Sequence, residues 1–346
     1  MSVHTFQKNI HKKNRNMRTF TFKGLLLTAV FMLLGCLSIQ AADDDLITKQ
    51  ISIKLDKAGT LPDRIASSEM YKITNLKIVG EINGTDWNMI REMAGRNYQE
   101  SSTEGNLSVL DLSEAKIVAG GDYYYYDNLF NNKVYTSNDE IGEYAFAYCS
   151  GLTSLTLPVG ITSIGEFAFS GCSGLTSLTL PAGITSIGEY AFSGCSGLTS
   201  LNLPAGITSI DKYAFSGCSR LTSLTLPAGI TSIGEFAFSY CSGLTSIYVY
   251  AEKVPRIGRY AFEGCASRKC TLYVPKGTYD NYRLSEFGYF ENIVEFDATG
   301  IDKTTTSTDV EEVSRYSLNG QRLVGPTKGL NIVKYSDGSV KKVAVE

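Results

Sequence analysis

The phrase CSGLTSLTLPAGITSIGEYAFSG, residues 172–194, recurs almost unchanged on either side of itself. Aligned on cysteine, copies begin at Cys149, Cys172, Cys195, Cys218 and Cys241, each of the first four 23 residues long. The fifth, CSGLTSIYVYAEKVPRIGRYAFEG, has 24 residues and ends before Cys265. IGEYAFAY at 141–148 is the back half of an earlier copy. Unrelated segments do not hold phase through so many copies. One copy is too short to bury its own apolar residues, so the next must cover it, and the chain is constrained to a solenoid.

Within a copy the pattern assigns most side chains. Leu175, Leu178 and Leu180 follow L-x-x-L-x-L, the strand spacing of leucine-rich repeats. Strand alternation turns Leu178 and Leu180 inward and Ser177 and Thr179 outward. Pro181 and Gly183 then turn the chain, because proline cannot continue a ladder. ITSI forms a second short extended stretch with Ile184 and Ile187 inward. EYAFSG reads as a tight helical turn that drops Ala191 and Phe192 into the core. Strands stacked at ~4.8 Å give five coils a ladder of roughly 20–25 Å.

The cysteines keep phase with the leucines. Stacked coils bring them within the ~4.4–6.8 Å Cα range of a disulfide, but equivalent positions point their Cβ atoms in parallel, which suits bridging poorly. Of the eight cysteines, seven remain if Cys36 is removed, so one must stay unpaired. The expectation is a column of small, buried, free thiols. Cys265 and Cys270 stand out of phase, and a disulfide between them stays open. With neither histidine nor C-x-x-C spacing in the repeats, no metal site is expected.

The N-terminus reads as an export signal. Positive charge from Arg18 to Lys23 precedes the apolar run GLLLTAVFMLLG, and small residues end at Ala41-Ala42 before Asp43. That run is shorter than the ~20 residues of a membrane-spanning helix. LLGC at 33–36 matches a lipoprotein box, which would make Cys36 an acylated first residue; cleavage after Ala41 or Ala42 would discard it. Both histidines, His4 and His11, lie in the segment to be removed. The usual general acid–base group and the Ser-His and Cys-His nucleophile pairs go with them. A net charge of −3 with no basic stripe after residue 23 argues against a nucleic-acid partner.

The flanks read as caps. ITNLKIVGEINGTDWNMIREMAG at 73–95 and LSVLDLSEAKIV at 107–118 keep the strand spacing at Ile73, Leu76, Ile78 and at Leu107, Leu110, Leu112. TDWNMIREMA is predicted to be a helix capped by Thr85 or Asp86. TLYVPKGTYDNYRLSEFGYFENIVEF at 271–296 is predicted as strand, helix and strand. A Thr, Ser and acid-rich linker follows, then three strand-like runs separated by turns. The expected segments are a signal peptide at 1–42, an N-terminal cap with diverged repeats at 43–136, the solenoid at 137–270, a C-terminal cap at 271–297, a linker at 298–314 and a β module at 315–346. The fold class is α/β, mostly β: a leucine-rich-repeat solenoid with 23-residue coils, capped ends and a small C-terminal β module.

The phrase LTSLTLPAGITSIGEYAFSGC resembles the BspA-type leucine-rich repeats of bacterial surface proteins. GEINGTDWNMIREMAG, LDLSEAKIVAGGDYYYY and LYVPKGTYDNYR also resemble parts of such proteins from Bacteroidetes, so the likeness spans roughly residues 46–297. The last segment resembles the sorting module of type IX secretion, with Asn331 where an aromatic residue is common. The resemblance implies a secreted or outer-surface, adhesin-like protein that is not an enzyme, needs no cofactor, and binds a protein, such as a host matrix protein. A structural or glycan-binding surface component is the alternative.

Candidate contact residues follow from where the repeat breaks. Outward strand positions form rows of Ser154, Thr156, Ser177, Thr179, Ser200, Asn202, Ser223, Thr225 and Ser246, which serve either as a hydrogen-bonding platform or simply as a solvated sheet. Tyr248 and Tyr250 interrupt the pattern in the last copy. GGDYYYYDN places Tyr123, Tyr124, Tyr125 and Tyr126 in a loop, either as a contact surface or packed on the N-terminal cap. Glu143, Glu166, Glu189 and Glu235 recur in phase, with Asp211 one slot aside, as a solvated edge on helical turns.

Overall fold

The computed structural model describes residues 46–128, 131–298, 312–317, 322–323, 328–335 and 340–345. The expected signal peptide, Cys36 and most of the linker lie outside them.

Each repeat makes one coil with two short parallel strands. The first strands are Ser154–Thr156, Ser177–Thr179, Ser200–Asn202, Ser223–Leu226 and Ser246–Val249. The second are Ser163–Ile164, Ser186–Ile187, Ser209–Ile210, Ser232–Ile233 and Arg256–Ile257. Register is residue for residue, Ser154 opposite Ser177 and Ser223 opposite Ser246. Leu175, Leu178, Leu180, Ile184, Ile187, Ala191 and Phe192 are buried, while Ser177 and Thr179 are exposed. A threonine before each first strand adds a side-chain ladder: Thr176, Thr199, Thr222 and Thr245 each donate Oγ1–H to the threonine carbonyl one coil earlier at 3.1–3.2 Å.

The EYAFSG segment is a turn and not a helical one. The first aromatic residue of this turn has positive φ in each of these coils: Tyr144 55°, Phe167 53°, Tyr190 54°, Tyr213 55°, Phe236 55° and Tyr260 58°. A left-handed residue cannot continue a right-handed helix, so the acids Glu143, Glu166, Glu189 and Glu235 have no helix behind them. Such backbone costs on the order of 1–3 kcal/mol per bulky residue and persists only where its surroundings enforce it. Neighbouring coils do so here. Phe167 N–H donates to Glu189 O and Tyr190 N–H to Lys212 O, both at 3.0 Å. The rings of Tyr125, Tyr144, Phe167, Tyr190, Tyr213 and Phe236 stack near-parallel with centroids 4.0–5.0 Å apart. An inner stack of Phe146, Phe169, Phe192, Phe215, Phe238 and Phe262 runs beside it at 5.0–5.4 Å.

Among the described residues the cysteines are all free and buried. Sγ–H of Cys172, Cys195, Cys218, Cys241 and Cys265 donates to the carbonyl of Phe146, Phe169, Phe192, Phe215 and Phe238, at 3.0–3.4 Å. Cys265 therefore stands in phase with the column, contrary to the sequence expectation, because the extra residue of the fifth copy is absorbed before it. Cys265 and Cys270 are both free.

At the N-terminal end, Ile51–Lys54, Asn75–Ile82 and Val109–Ile117 extend the first sheet in parallel, with Val109 opposite Ser154. The helix Gly84–Met93 is capped by Asn83 and not by Thr85 or Asp86. Asn83 Oδ1 accepts from Thr85 N–H at 3.1 Å and Asp86 reaches back to Asn83 N–H at 2.9 Å. Its position sets Trp87 against Phe146 with centroids 5.2 Å apart, the first ring of the inner stack.

Side chains here replace a missing coil. In the repeats, the carbonyls of Glu166 and Ala168 accept from Tyr144 and Phe146 N–H of the preceding coil. The equivalent carbonyls at the end are Glu143 and Ala145. Glu143 O accepts from the Tyr124 hydroxyl at 2.8 Å, and Ala145 O from Trp87 Nε1–H and the fully buried Arg91 guanidinium, both at 3.0 Å.

At the other end Thr271–Pro275, the helix Tyr279–Arg283 and Asn292–Phe296 follow the expected order. Phe287 and Phe290 close on Phe262 at 5.8 and 5.3 Å. The last segment forms a sheet of four antiparallel strands, Glu312–Ser317, Arg322–Leu323, Gly329–Tyr335 and Val340–Val345. The sequence shows three runs; the additional strand is a two-residue pairing, and Glu312 lies inside the segment expected as linker. Asn331 is buried and accepts from Arg315 at 3.3 Å.

Candidate functional site

The outward face of the first sheet changes character along the stack. Thr156, Ser177, Thr179, Ser200 and Asn202 are exposed, while Ser154, Ser223, Thr225 and Ser246 are half-buried. Asn202 stands in the row between Thr179 and Thr225, paired with the latter. These short polar groups present hydrogen-bonding capacity but little contact area.

In the last coils the row turns aromatic. Thr225 is followed by Tyr248 and Tyr248 by Tyr273, in direct register. The Tyr248 and Tyr273 rings lie 4.4 Å apart and 6° from parallel. Phe296 meets Tyr248 edge-on at 5.9 Å and Tyr250 edge-on at 5.1 Å. All four rings are half-buried, and Val294, opposite Tyr273, is exposed. Burial, then the neighbouring Tyr273 and Tyr250, raises the Tyr248 phenol above its ordinary range, and burial raises Tyr250. Both stay neutral hydrogen-bonding groups at physiological pH. Lys342 of the C-terminal sheet lies 5.7 Å from the Tyr250 centroid. Sequence inspection finds Tyr248 and Tyr250 but passes over Tyr273 and Phe296. The signal available was the phase of TLYVP, which puts Tyr273 one coil above Tyr248.

The four consecutive tyrosines divide. They form the strand Gly120–Asp127, hairpinned to Asn132–Thr136, and not a loop, since a run of tyrosines has strong strand preference. Tyr124 is buried against Trp87 and Tyr125 is buried as the first ring of the outer stack. Both are covered by the chain itself. Burial, foremost, pushes both phenols well above their usual range. Tyr123 and Tyr126 remain half-buried in a cluster with Tyr98 and Tyr135, and Lys133 Nζ sits 4.7 Å from the Tyr123 centroid.

The acidic edge is spaced by one coil. Partial burial, then Glu143 and Glu189, raises the Glu166 carboxyl above its ordinary range. No histidine follows His11, so these carboxylates have no imidazole to pair with. Burial holds the column thiols above their ordinary range, which removes the thiolate that a nucleophile or metal ligand needs.

Parallel two-strand coils with this leucine spacing and these phased stacks define a leucine-rich-repeat solenoid. Residues 139–269 match the BspA type leucine rich repeat region in six copies. The chain is similar to the leucine rich repeat protein of T. pallidum, at 29% identity over 44% of this chain and 73% of that one, with a TM-score of 0.37. It is similar to a leucine rich cell surface protein from Faecalibacterium prausnitzii A2-165, at 23% identity over 64% of this chain, with a TM-score of 0.33, and spans 51% of that protein. A leucine-rich repeat protein from Bacteroides ovatus ATCC 8483 shares 25% identity over 47% of this chain and 59% of that one, with a TM-score of 0.22. No curated protein matches the chain.

Proposed function

We propose that the chain is an exported, cell-surface or secreted leucine-rich-repeat protein that binds a protein partner and has no catalytic activity. The observation that carries this is the cluster of Tyr248, Tyr273, Tyr250 and Phe296 on the outward sheet face. Tyrosine supplies large, stiff contact area with a polar tip, and aromatic residues dominate binding energy at protein interfaces. The hydroxyl rows beside the cluster supply adaptable hydrogen bonding around it. Extracellular-matrix proteins are the partner class for which the family resemblance argues.

The test is binding of the chain to immobilised matrix proteins and to a glycan array. Tyr248→Ser is expected to weaken a saturable protein interaction about ten-fold or more, the scale of an interface hot spot. Thr179→Ala, on the hydroxyl row, should stay within about two-fold. Binding to glycans alone, or protein binding indifferent to Tyr248 and Tyr273, overturns the reading. Cell fractionation of Cys36→Ala tests a lipid anchor: an unchanged location excludes it.

A further inference from the structure

One coil junction differs from all the others. The residue after the second short strand is glycine in most copies: Gly142, Gly165, Gly188, Gly234 and Gly258. A Cβ on Gly165 would lie 2.7 Å from Glu143 N, on Gly188 2.8 Å from Glu166 N, on Gly234 2.6 Å from Lys212 N and on Gly258 2.4 Å from Glu235 N. Coils in full contact leave no room for a side chain at this slot. In the Cys195 copy the slot holds Asp211.

The junction below Asp211 lacks backbone bonds on its strand side. Gly165, Gly188, Gly234 and Gly258 each donate N–H to an isoleucine carbonyl one coil earlier, at 2.7–2.9 Å; Asp211 makes no such bond to Ile187. Thr162, Thr185 and Thr231 donate N–H across their junctions at 3.0, 2.9 and 2.7 Å, and Thr208 does not. Both parallel sheets stop here. Ser177–Thr179 and Ser200–Asn202 fall in separate sheets, as do Ser186–Ile187 and Ser209–Ile210. Exposure changes in step: Ser186 and Ser209 are exposed where Ser163 and Ser232 are half-buried. Core leucines follow, with Leu178 and Leu180 at 7% and Leu203 at 8% against 0% for Leu224 and Leu226.

The opposite side of the same junction is intact. Tyr190, Phe192 and Gly194 donate N–H to Lys212, Ala214 and Ser216 at 3.0, 2.7 and 2.7 Å. The Tyr190 and Tyr213 rings stack at 4.6 Å. Thr199 N–H still donates to Thr176 O at 3.2 Å, so the coils stay neighbours along the chain entry to the first strand.

We infer that the solenoid contains a built-in hinge between the Cys172 and Cys195 copies, with Asp211 as the wedge and the aromatic turns as the pivot. Bonds are lost along the two short strands and kept along the turns and at Thr176–Thr199, so the low-energy motion loosens the two strand ladders while those two edges hold. Asn202 and Thr179 flank the unpaired junction, and movement there changes the curvature of the face that carries the hydroxyl rows.

Hydrogen exchange on the whole chain tests this, because local opening sets amide exchange where backbone bonds are missing. Corrected for intrinsic rates, the amides of Thr208 and Asp211 are expected to exchange about ten-fold or more faster than those of Thr231 and Gly234. Asp211→Gly should bring the two pairs to within about three-fold by closing the ladder. Gly234→Asp should move fast exchange to positions 231 and 234; if that chain does not fold, Asp211→Gly decides. Equal protection at Thr208 and Thr231 in the unsubstituted chain overturns the hinge. So does Asp211→Gly that leaves Thr208 as fast as before.

Discussion

The interior coils and the ends of the stack satisfy the same carbonyls and rings by different means. In the interior each group meets a copy of itself: Phe192 lies between Phe169 and Phe215, and Cys195 Sγ–H reaches the Phe169 carbonyl. At the N-terminal end no copy exists, and unlike residues take each role. Trp87 supplies the missing ring, the Tyr124 hydroxyl and Arg91 guanidinium stand in for the missing backbone N–H donors, and Tyr125 begins the outer stack. A repeat makes its interior out of nearest-neighbour terms that any copy can provide, whereas an end is a set of single residues with no substitute.

That contrast is most directly broken with Trp87→Ala against Phe192→Ala. Truncating a buried aromatic costs about 3–5 kcal/mol. Trp87→Ala is expected near 5 kcal/mol, because it also removes a donor to the Ala145 carbonyl, and Phe192→Ala nearer 3 kcal/mol. Denaturant midpoints measure both; equal losses would mean that the end is just another coil.

Alkaline stability sharpens the same comparison. The Cys172 and Cys195 thiols are held high by burial, so they stay protonated in the folded chain while the unfolded chain ionises above a pH of about 8.5. Their contribution is whole below that pH and is lost as pH rises. Each thiol steepens the loss by about 1.4 kcal/mol per pH unit. Cys195→Ala should make the fall shallower by that amount. Cys270, in the C-terminal cap, is pushed up only to about 11, so its share stops growing above that pH. Unfolding free energies between pH 7 and 10 test the slope; a Cys195→Ala chain with an unchanged slope would refute the assignment.

The smallest effect concerns the acidic edge. Partial burial and flanking acids raise the Glu166 carboxyl, so the folded chain holds its proton more tightly than the unfolded one. Its contribution to stability is therefore whole below the ordinary carboxylate range of the unfolded chain and is lost as pH rises through the raised folded value. Glu166→Gln should add about 0.3 kcal/mol at neutral pH, a small gain because solvent screens the column, and should remove part of the acid-side rise. Thermal melts at pH 4–7 show whether the rise is reduced.

Much of this was legible in the repeated phrase. Leucine and isoleucine spacing placed the two strands, and the parallel Cβ argument placed the thiols as free groups. What the spacing does not carry is backbone handedness: a positive φ at Tyr190 leaves no trace in EYAFSG, which also reads as helix. Contact residues were half legible. Tyr248 and Tyr250 stand out because they break a pattern, but Tyr273 and Phe296 lie outside the repeat, and only pairing across coils brings them beside Tyr248. The run of tyrosines at 123–126 could not be divided by residue type, because all four are the same residue; strand direction and the position of Trp87 divide them.

The sequence by itself determined the solenoid, its coil length, its core and its inert thiols, since periodicity dictates which atoms recur at which height. Tertiary structure alone decided how the stack is closed and where it is weakened. Both depend on one coil's backbone meeting its neighbour: Trp87 and Arg91 matter because particular carbonyls lack a coil beneath them, and Asp211 matters because a Cβ at that slot lands on the backbone one coil below.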